Sequence, residues 1–481
     1  MQNLHLLYPE MGLTAFALAL LVADLFLRGR RGVLLYHLGI LSAAAALGIL
    51  CLAYWAPSHY QGIGSLWAVD PLSLFFKVLI LGTTIMALLL AADYRAPRAH
   101  EHLGTFTALL LLSAVGMMLL VSAVDFLLIF LALELVSISS FILVGFERKD
   151  LKSSEAAIKY FLIGAFSSAI LVFGISLFYG AIGSTKLLAI HPLFADRSSI
   201  MFVMACLLIT VGLGFKVSMV PFHLWVPDAY EGAPTPVTAF LSVAPKIAAL
   251  AVMLRVFTFL VPHTALDLTT LFSVLAMLTM TVGNLTALFQ TNIKRLLAYS
   301  SIAQAGYMLI GFVTADLLGR EGVLIYCFAY LFMNVGAFAV AIVVGNDDGY
   351  ELESYDGLAK RNLGLALLMG FFLLSLAGIP PMAGFIGKFY LFAAAVKGGF
   401  YWLAVVAVLN SVVSIYYYMG VVRHMFFHSP RAAEPAPVGA LLYSTLAVAA
   451  VGVFVVGVYP EPFLEAVKLS AEFFPQVSAG F

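Results

Sequence analysis

Apolar runs long enough to cross about 30 Å of hydrocarbon follow one another almost without pause along the chain. They lie near residues 5–27, 33–56, 72–92, 103–122, 124–146, 158–181, 199–221, 236–260, 267–290, 296–315, 321–344, 364–380, 382–399, 402–427 and 438–460. The two runs flanking Pro380 and Pro381 read as one broken helix, which leaves about fourteen membrane helices. Composition agrees. Only 10% of the 481 residues are charged and 63% are hydrophobic, whereas an average soluble domain is roughly 25% charged. So few charges cannot cover a water-facing surface, and the bilayer must act as solvent. The expected fold is therefore an all-α integral membrane protein, a single membrane domain over residues 1–481 with no soluble insertion. The first run has no basic stretch before it and continues for a full span, so it is expected to be the first helix rather than a cleaved signal.

Several functions are excluded at this point. The formal net charge is zero, so the basic stripe required for nucleic-acid binding is missing. Cys51, Cys206 and Cys327 stand apart in apolar runs with no C-x-x-C, and neither an iron–sulfur cluster nor a structural zinc can be built from them alone. No phosphate-binding loop and no dinucleotide-binding glycine motif occurs. The pair His424 and His428 and the remaining histidines sit at helix ends or links, away from facing mid-membrane positions, which argues against a haem. No cofactor is expected in this chain.

Basic residues favour the links after odd-numbered helices: Arg28, Arg30 and Arg31; Arg95 and Arg98; Arg148, Lys149 and Lys152; Lys294 and Arg295; Lys360 and Arg361; Arg423 and Arg431. Lys186, Arg197, Arg320 and Lys397 are the main exceptions. The positive-inside rule then places both termini outside the cytoplasm.

Helix seven contains Pro221 and helix twelve contains Pro380. A proline in mid-membrane removes a backbone donor and frees a carbonyl that needs a polar partner. Two such interruptions five helices apart, in opposite orientations, are the pattern of inverted repeats; an ordinary proline kink is the simpler alternative.

Four ionisable residues lie well inside apolar runs: Glu134, Lys216, Lys246 and Lys388. Each charge at a helix centre costs about 2.5–3.5 kcal/mol, so the four together approach about 10 kcal/mol unless water or partners offset it. A lysine ordinarily keeps its proton at pH 7. A Glu134–Lys216 pair would hold the proton when close and release it when apart, although a fixed structural pair is also consistent with the residues. Lys246, beside Pro245, has no acidic neighbour in sequence and suits transfer through water. Lys388 lies two turns past the break, where snorkelling to the interface is an alternative. His223, two residues after Pro221, is a candidate relay or a satisfied structural histidine. Tyr299, Ser300 and Gln304 are further candidates to line water.

The chain resembles the antiporter-like membrane subunits of respiratory complex I, the proton-pumping NADH–quinone oxidoreductase. The resemblance spans essentially the whole sequence. It rests on Glu155-Ala156-Ala157-Ile158-Lys159-Tyr160-Phe161, on Gly214-Phe215-Lys216, on Pro221-Phe222-His223-Leu224-Trp225-Val226-Pro227-Asp228-Ala229-Tyr230, on Glu231-Gly232-Ala233-Pro234-Thr235-Pro236-Val237 and on Pro245-Lys246. Asn292 through Ser301 and Gly378-Ile379-Pro380-Pro381 match as well. Within the family it is similar to the N-type branch: the L-type adds a long lateral helix, whereas about twenty residues follow the last run here, and the M-type carries glutamate where Lys388 stands. The resemblance implies that Glu134 and Lys216 form the switch of an inlet half-channel, Lys246 the central relay and Lys388 the group nearer the outlet. It also implies inverted repeats of helices 4–8 (103–260) and 9–13 (267–427). NADH, FMN, iron–sulfur clusters and quinone would belong to partner subunits, and the other membrane-arm subunits, the bilayer of a bacterial inner membrane and protons would be the partners of this chain. Multisubunit sodium/proton antiporters share the fold and supply the alternative function. A passive spacer between subunits is a third reading, against which the four buried charges argue.

Overall fold

The computed structural model describes residues 4–27, 32–55, 61–63, 66–94, 102–189, 199–260, 264, 266–314, 316–430 and 438–472. Arg28, Arg30, Arg31, Arg95, Arg98, Arg197 and Arg431 lie outside the described residues. The chain is helical nearly throughout: α1 (Tyr8–Phe26), α2 (Gly32–Trp55), α3 (Pro71–Ala92), α4 (Leu103–Ser122), α5 (Phe126–Val144), α6 (Leu151–Ile182), α7 (Ile200–Val217), α8 (Trp225–Gly232), α9 (Thr235–Leu260), α10 (Leu268–Ala287), α11 (Ile293–Thr314), α12 (Leu317–Asp347), α13 (Leu358–Arg361), α14 (Leu363–Ala377), α15 (Ala383–Lys397), α16 (Tyr401–Phe427), α17 (Ala440–Val458) and α18 (Glu461–Glu472). Thirteen of these are long and apolar enough to cross a membrane. The half-helices α14 and α15 together supply a fourteenth crossing, in agreement with the sequence reading. Outside these crossings lie a short antiparallel hairpin of β1 (Gln61–Ile63) and β2 (Trp67–Val69) and the short helices α8, α13 and α18.

Burial orders the helices. In α9 the whole apolar window is buried, and α11 and α12 are nearly so, while α1, α2, α6 and α16 expose most of theirs. A helix that is apolar on every side belongs in the centre of a bundle or against lipid; here α9, α11 and α12 take the centre. Leu131, Phe166, Val405, Tyr416 and Val451 are among the large apolar residues turned outward on the peripheral helices, as a hydrocarbon solvent permits.

The two proline-marked interruptions share a local form. Helix α7 stops at Val217, before Pro221, and its cap residue Ser218 takes a left-handed conformation at φ 69°. Helix α14 stops at Ala377, and Gly378 takes φ 89°. In each case the residue after the cap donates to a carbonyl five residues back, Met219 to Gly214 at 2.9 Å and Ile379 to Leu374 at 3.2 Å. This is the Schellman closure of a helix C-terminus. Glycine is required at 378 on two counts, because a β-carbon there would also lie 2.8 Å from Lys388 Cδ. The halves beyond the breaks differ in length: α8 has eight residues and α15 has fifteen. Cis peptide bonds precede Pro221 and Pro381.

Candidate functional site: buried lysines around two interrupted helices

At Pro245 and at Pro380–Pro381 the carbonyls left without backbone donors find partners. Pro245 cannot donate to the carbonyl of Leu241, and the Tyr230 hydroxyl donates to that oxygen at 3.3 Å. The Tyr230 ring in turn lies 5.6 Å from the Lys246 ammonium, which donates to Ser301 Oγ. At the second interruption, Pro380 and Pro381 leave the carbonyls of Leu376 and Ala377 open. Gln304 Nε2 donates to Leu376 O at 3.0 Å, and Lys388 Nζ donates to Ala377 O at 2.9 Å. Lys388 also donates to Ser411 Oγ at 3.0 Å and sits 4.4 Å from the Tyr307 ring centre. A cation at the C-terminal end of a helix meets the negative end of its dipole. Lys388 is only 3% exposed, so its ammonium turns inward to the break and does not snorkel.

Lys216 occupies the last turn of α7 and is 5% exposed. Its ammonium has no hydrogen-bond partner among the described residues and lies 5.4, 5.7 and 5.8 Å from the rings of Phe215, Phe141 and Tyr160. Tyr160 stacks on Trp225 at 4.4 Å, and Trp225 Nε1 donates to Phe215 O at 3.1 Å, which fixes this aromatic cage to the end of α7. Glu134, half-buried on α5, accepts a hydrogen bond from Ser168 of α6. Glu134 and Lys216 form no ion pair with each other in this arrangement. His223 is 9% exposed, and its Nδ1 has no hydrogen-bond partner among the described residues.

Between Lys246 and Lys388 the interior is polar. Ser300, Gln304, Tyr326 and Tyr418 form one cluster: Gln304 Nε2 donates to the Tyr418 hydroxyl at 3.2 Å, the Tyr326 hydroxyl donates to Gln304 Oε1, and Ser300 Oγ lies 2.5 Å from the Tyr418 hydroxyl. A second cluster joins Asn284 to Tyr307 at 3.3 Å, to Asn410 at 3.2 Å and to Tyr417 at 3.0 Å. Ser300 and Gln304, offered by the sequence as candidates to line water, belong to the first cluster, whereas Tyr299 is half-buried with no side-chain partner in either cluster.

Three further buried cations belong to the same interior. Lys294, read from sequence as a link residue, is 3% exposed and donates to the carbonyls of Glu231 and Ala233, both at 2.7 Å, between α8 and α9. Lys77 pairs with Glu10 at 2.6 Å, and Arg255 pairs with Asp70 at 2.8 Å. The signal that marks Lys216, a lone cation within an apolar run, marks Lys77 and Arg255 too; their partners could not be found from sequence. Above Lys294 a charged cleft of about 220 Å³ is lined by Lys152, Glu155, Lys159, Asp228, Glu231 and Arg295. Ion pairs of 2.8–3.1 Å across it tie the starts of α6 and α11 to α8.

Helices interrupted in mid-course around buried lysines define an antiporter-like ion-translocating membrane subunit. Residues 123–414 match the family described as NADH:quinone oxidoreductase/Mrp antiporter, transmembrane. NADH-quinone oxidoreductase subunit N of Trichlorobacter lovleyi is 42% identical, over 97% of both chains. A chain of respiratory complex I from Thermus thermophilus superposes with a TM-score of 0.82 at 33% identity, covering 96% of this chain and 99% of that one. A chain of the Mrp complex from Dietzia gives 0.83 at 21% identity, covering 98% of each, which shows the shared fold. The chain belongs to the subunit N family of NADH-quinone oxidoreductase.

Proposed function

We propose that this chain is a proton-translocating subunit in the membrane arm of a bacterial NADH–quinone oxidoreductase. Glu134, Lys216, Lys246 and Lys388 carry the proton, with His223 as a relay beside the first break. The observation that carries this reading is that the ammonium groups of Lys216, Lys246 and Lys388 are all at most 5% exposed, and none forms an ion pair among the described residues. Each meets aromatic rings, hydroxyls or a helix-end carbonyl instead. An ammonium desolvated without a carboxylate keeps part of the cost of its charge even with these contacts, and passing the proton on relieves that cost.

Electron transfer in partner subunits drives the cycle in this reading, and NADH, FMN, the iron–sulfur clusters and quinone reside there, with no redox centre in this chain. Residues 103–260 and 267–427 act as inverted halves, supported by the matching Schellman closures at Ser218 and Gly378. The membrane is the bacterial inner membrane, and both termini lie on its non-cytoplasmic side. The charged cleft between α6, α8 and α11 then opens to the cytoplasm.

The test is proton uptake into vesicles holding the assembled complex, normalised to NADH oxidation, with Lys246→Ala in this chain. Protons moved per NADH should fall while the complex still assembles. An unchanged ratio would refute the proposal, and a pH gradient that depends on sodium would favour the antiporter function instead.

A further inference from the structure

At the end of the second half, away from the lysines, three potential metal ligands converge. His424 lies in the last turn of α16, and His428 caps that helix. Their four-residue spacing places the two imidazoles on one face, with ring centres 4.5 Å apart and planes tilted by 57°. Asp356 comes from the turn that follows a single 3₁₀ turn, Leu352–Tyr355. Its Oδ1 lies 2.6 Å from His424 Nδ1 and 2.9 Å from His428 Nδ1. The backbone holds the turn in place, since Gly357 N donates to His424 O at 3.0 Å. Gly357 itself is left-handed at φ 64°, and a β-carbon there would come within 2.4 Å of Pro430 N, so the turn and the helix end are in close contact.

We propose that Asp356, His424 and His428 bind a divalent transition-metal ion of the zinc class. Two imidazole nitrogens and one carboxylate oxygen form the donor set that borderline metals prefer, while magnesium and calcium take oxygen ligands. One ligand atom from each residue already lies within 4.8 Å of the other two. A tetrahedral site with bonds of about 2.0–2.1 Å sets its ligand atoms about 3.3 Å apart. The two nitrogen–oxygen separations therefore open by about half an ångström when the ion replaces the shared hydrogen bonds. The side chains are 24%, 33% and 13% exposed for His424, His428 and Asp356, so there is room for this movement and water can complete the coordination. Each imidazole binds the metal through Nδ1 as its neutral Nε2–H tautomer. The ion fastens the link between α12 and α14 to the end of α16, the helix that also carries Ser411 and Tyr418.

The test compares zinc retained by the assembled complex carrying the native chain with zinc retained by the complex carrying His424→Asn together with His428→Asn. Both are loaded with zinc sulfate, desalted and analysed by mass spectrometry of the metal. The native complex should hold one more zinc equivalent; equal content overturns the proposal and leaves a purely hydrogen-bonded cluster. Should the double variant fail to assemble, the native complex is treated with diethyl pyrocarbonate and its peptides are weighed. Zinc, and not magnesium, should lower modification at both histidines several-fold, and modification unchanged by zinc overturns the site.

Discussion

Lys388→Met separates a proton carrier from a structural cation. The native ammonium makes two hydrogen bonds, to Ala377 O and Ser411 Oγ, and faces the Tyr307 ring. Hydrogen bonds to charged groups contribute about 1.5–3 kcal/mol each, and a desolvated cation–ring contact about 2 kcal/mol. Against this stands the burial of the ammonium, which costs several kcal/mol even after relaxation. Methionine fills similar space and orphans nothing, because Ser411 Oγ still donates to Ala377 O at 2.9 Å. The net change in stability is therefore expected within about 2 kcal/mol of zero. On a native gel the complex should assemble normally, and NADH-driven dye quenching in vesicles, normalised to electron flow, should fall. Lys388→Arg should fail in the same way, since a guanidinium keeps its proton at any physiological pH although the charge remains. Normal pumping with methionine would refute the carrier role. Lost assembly with normal pumping in the residual complex would make Lys388 structural.

Arg255→Leu strands the buried Asp70 carboxylate and should cost about 3–5 kcal/mol, seen as reduced assembly; adding Asp70→Asn should recover much of that loss, and no recovery would show that the pair is not coupled. Burial holds the Glu147 carboxyl above its usual range, with the nearby Asp150 charge adding to it and the Tyr94 hydrogen bond opposing it. A carboxyl held high favours the fold when protonated, so stability is lost as pH rises from the ordinary carboxylate range through the folded value. Glu147→Gln should therefore raise the thermal midpoint at pH 8, with the gain narrowing toward pH 5; a gain independent of pH would assign the effect to something other than ionisation.

The membrane crossings were legible because each is a long apolar run, and the two interruptions because proline forbids the hydrogen bonds that would close them. Glu134, Lys216, Lys246 and Lys388 were legible for a related reason: a charge in an apolar run has no cheap local explanation. What the charges touch was not legible. Lys294 looks like a link residue until the carbonyls of Glu231 and Ala233 draw it inside. Arg255 finds Asp70 across 185 residues of chain, a contact no local pattern encodes. The Glu134–Lys216 pair is an instance of the converse. The sequence offered them as partners, but each group has taken other neighbours, Ser168 for the carboxylate and three rings for the ammonium.

Gln304 bears on how charge can be stored in this interior. The hydroxyls of Ser300, Tyr326 and Tyr418 can each accept a proton on one side and surrender another on the far side. A primary amide cannot do so cheaply, and this one is pinned, its nitrogen on the Leu376 carbonyl and its oxygen under the Tyr326 hydroxyl. In the proposed proton path Gln304 therefore interrupts the hydroxyls between Lys246 and Lys388. A proton crossing that point would leave the side chains for water, so that the two lysines would fill and empty at different times, like locks on a canal.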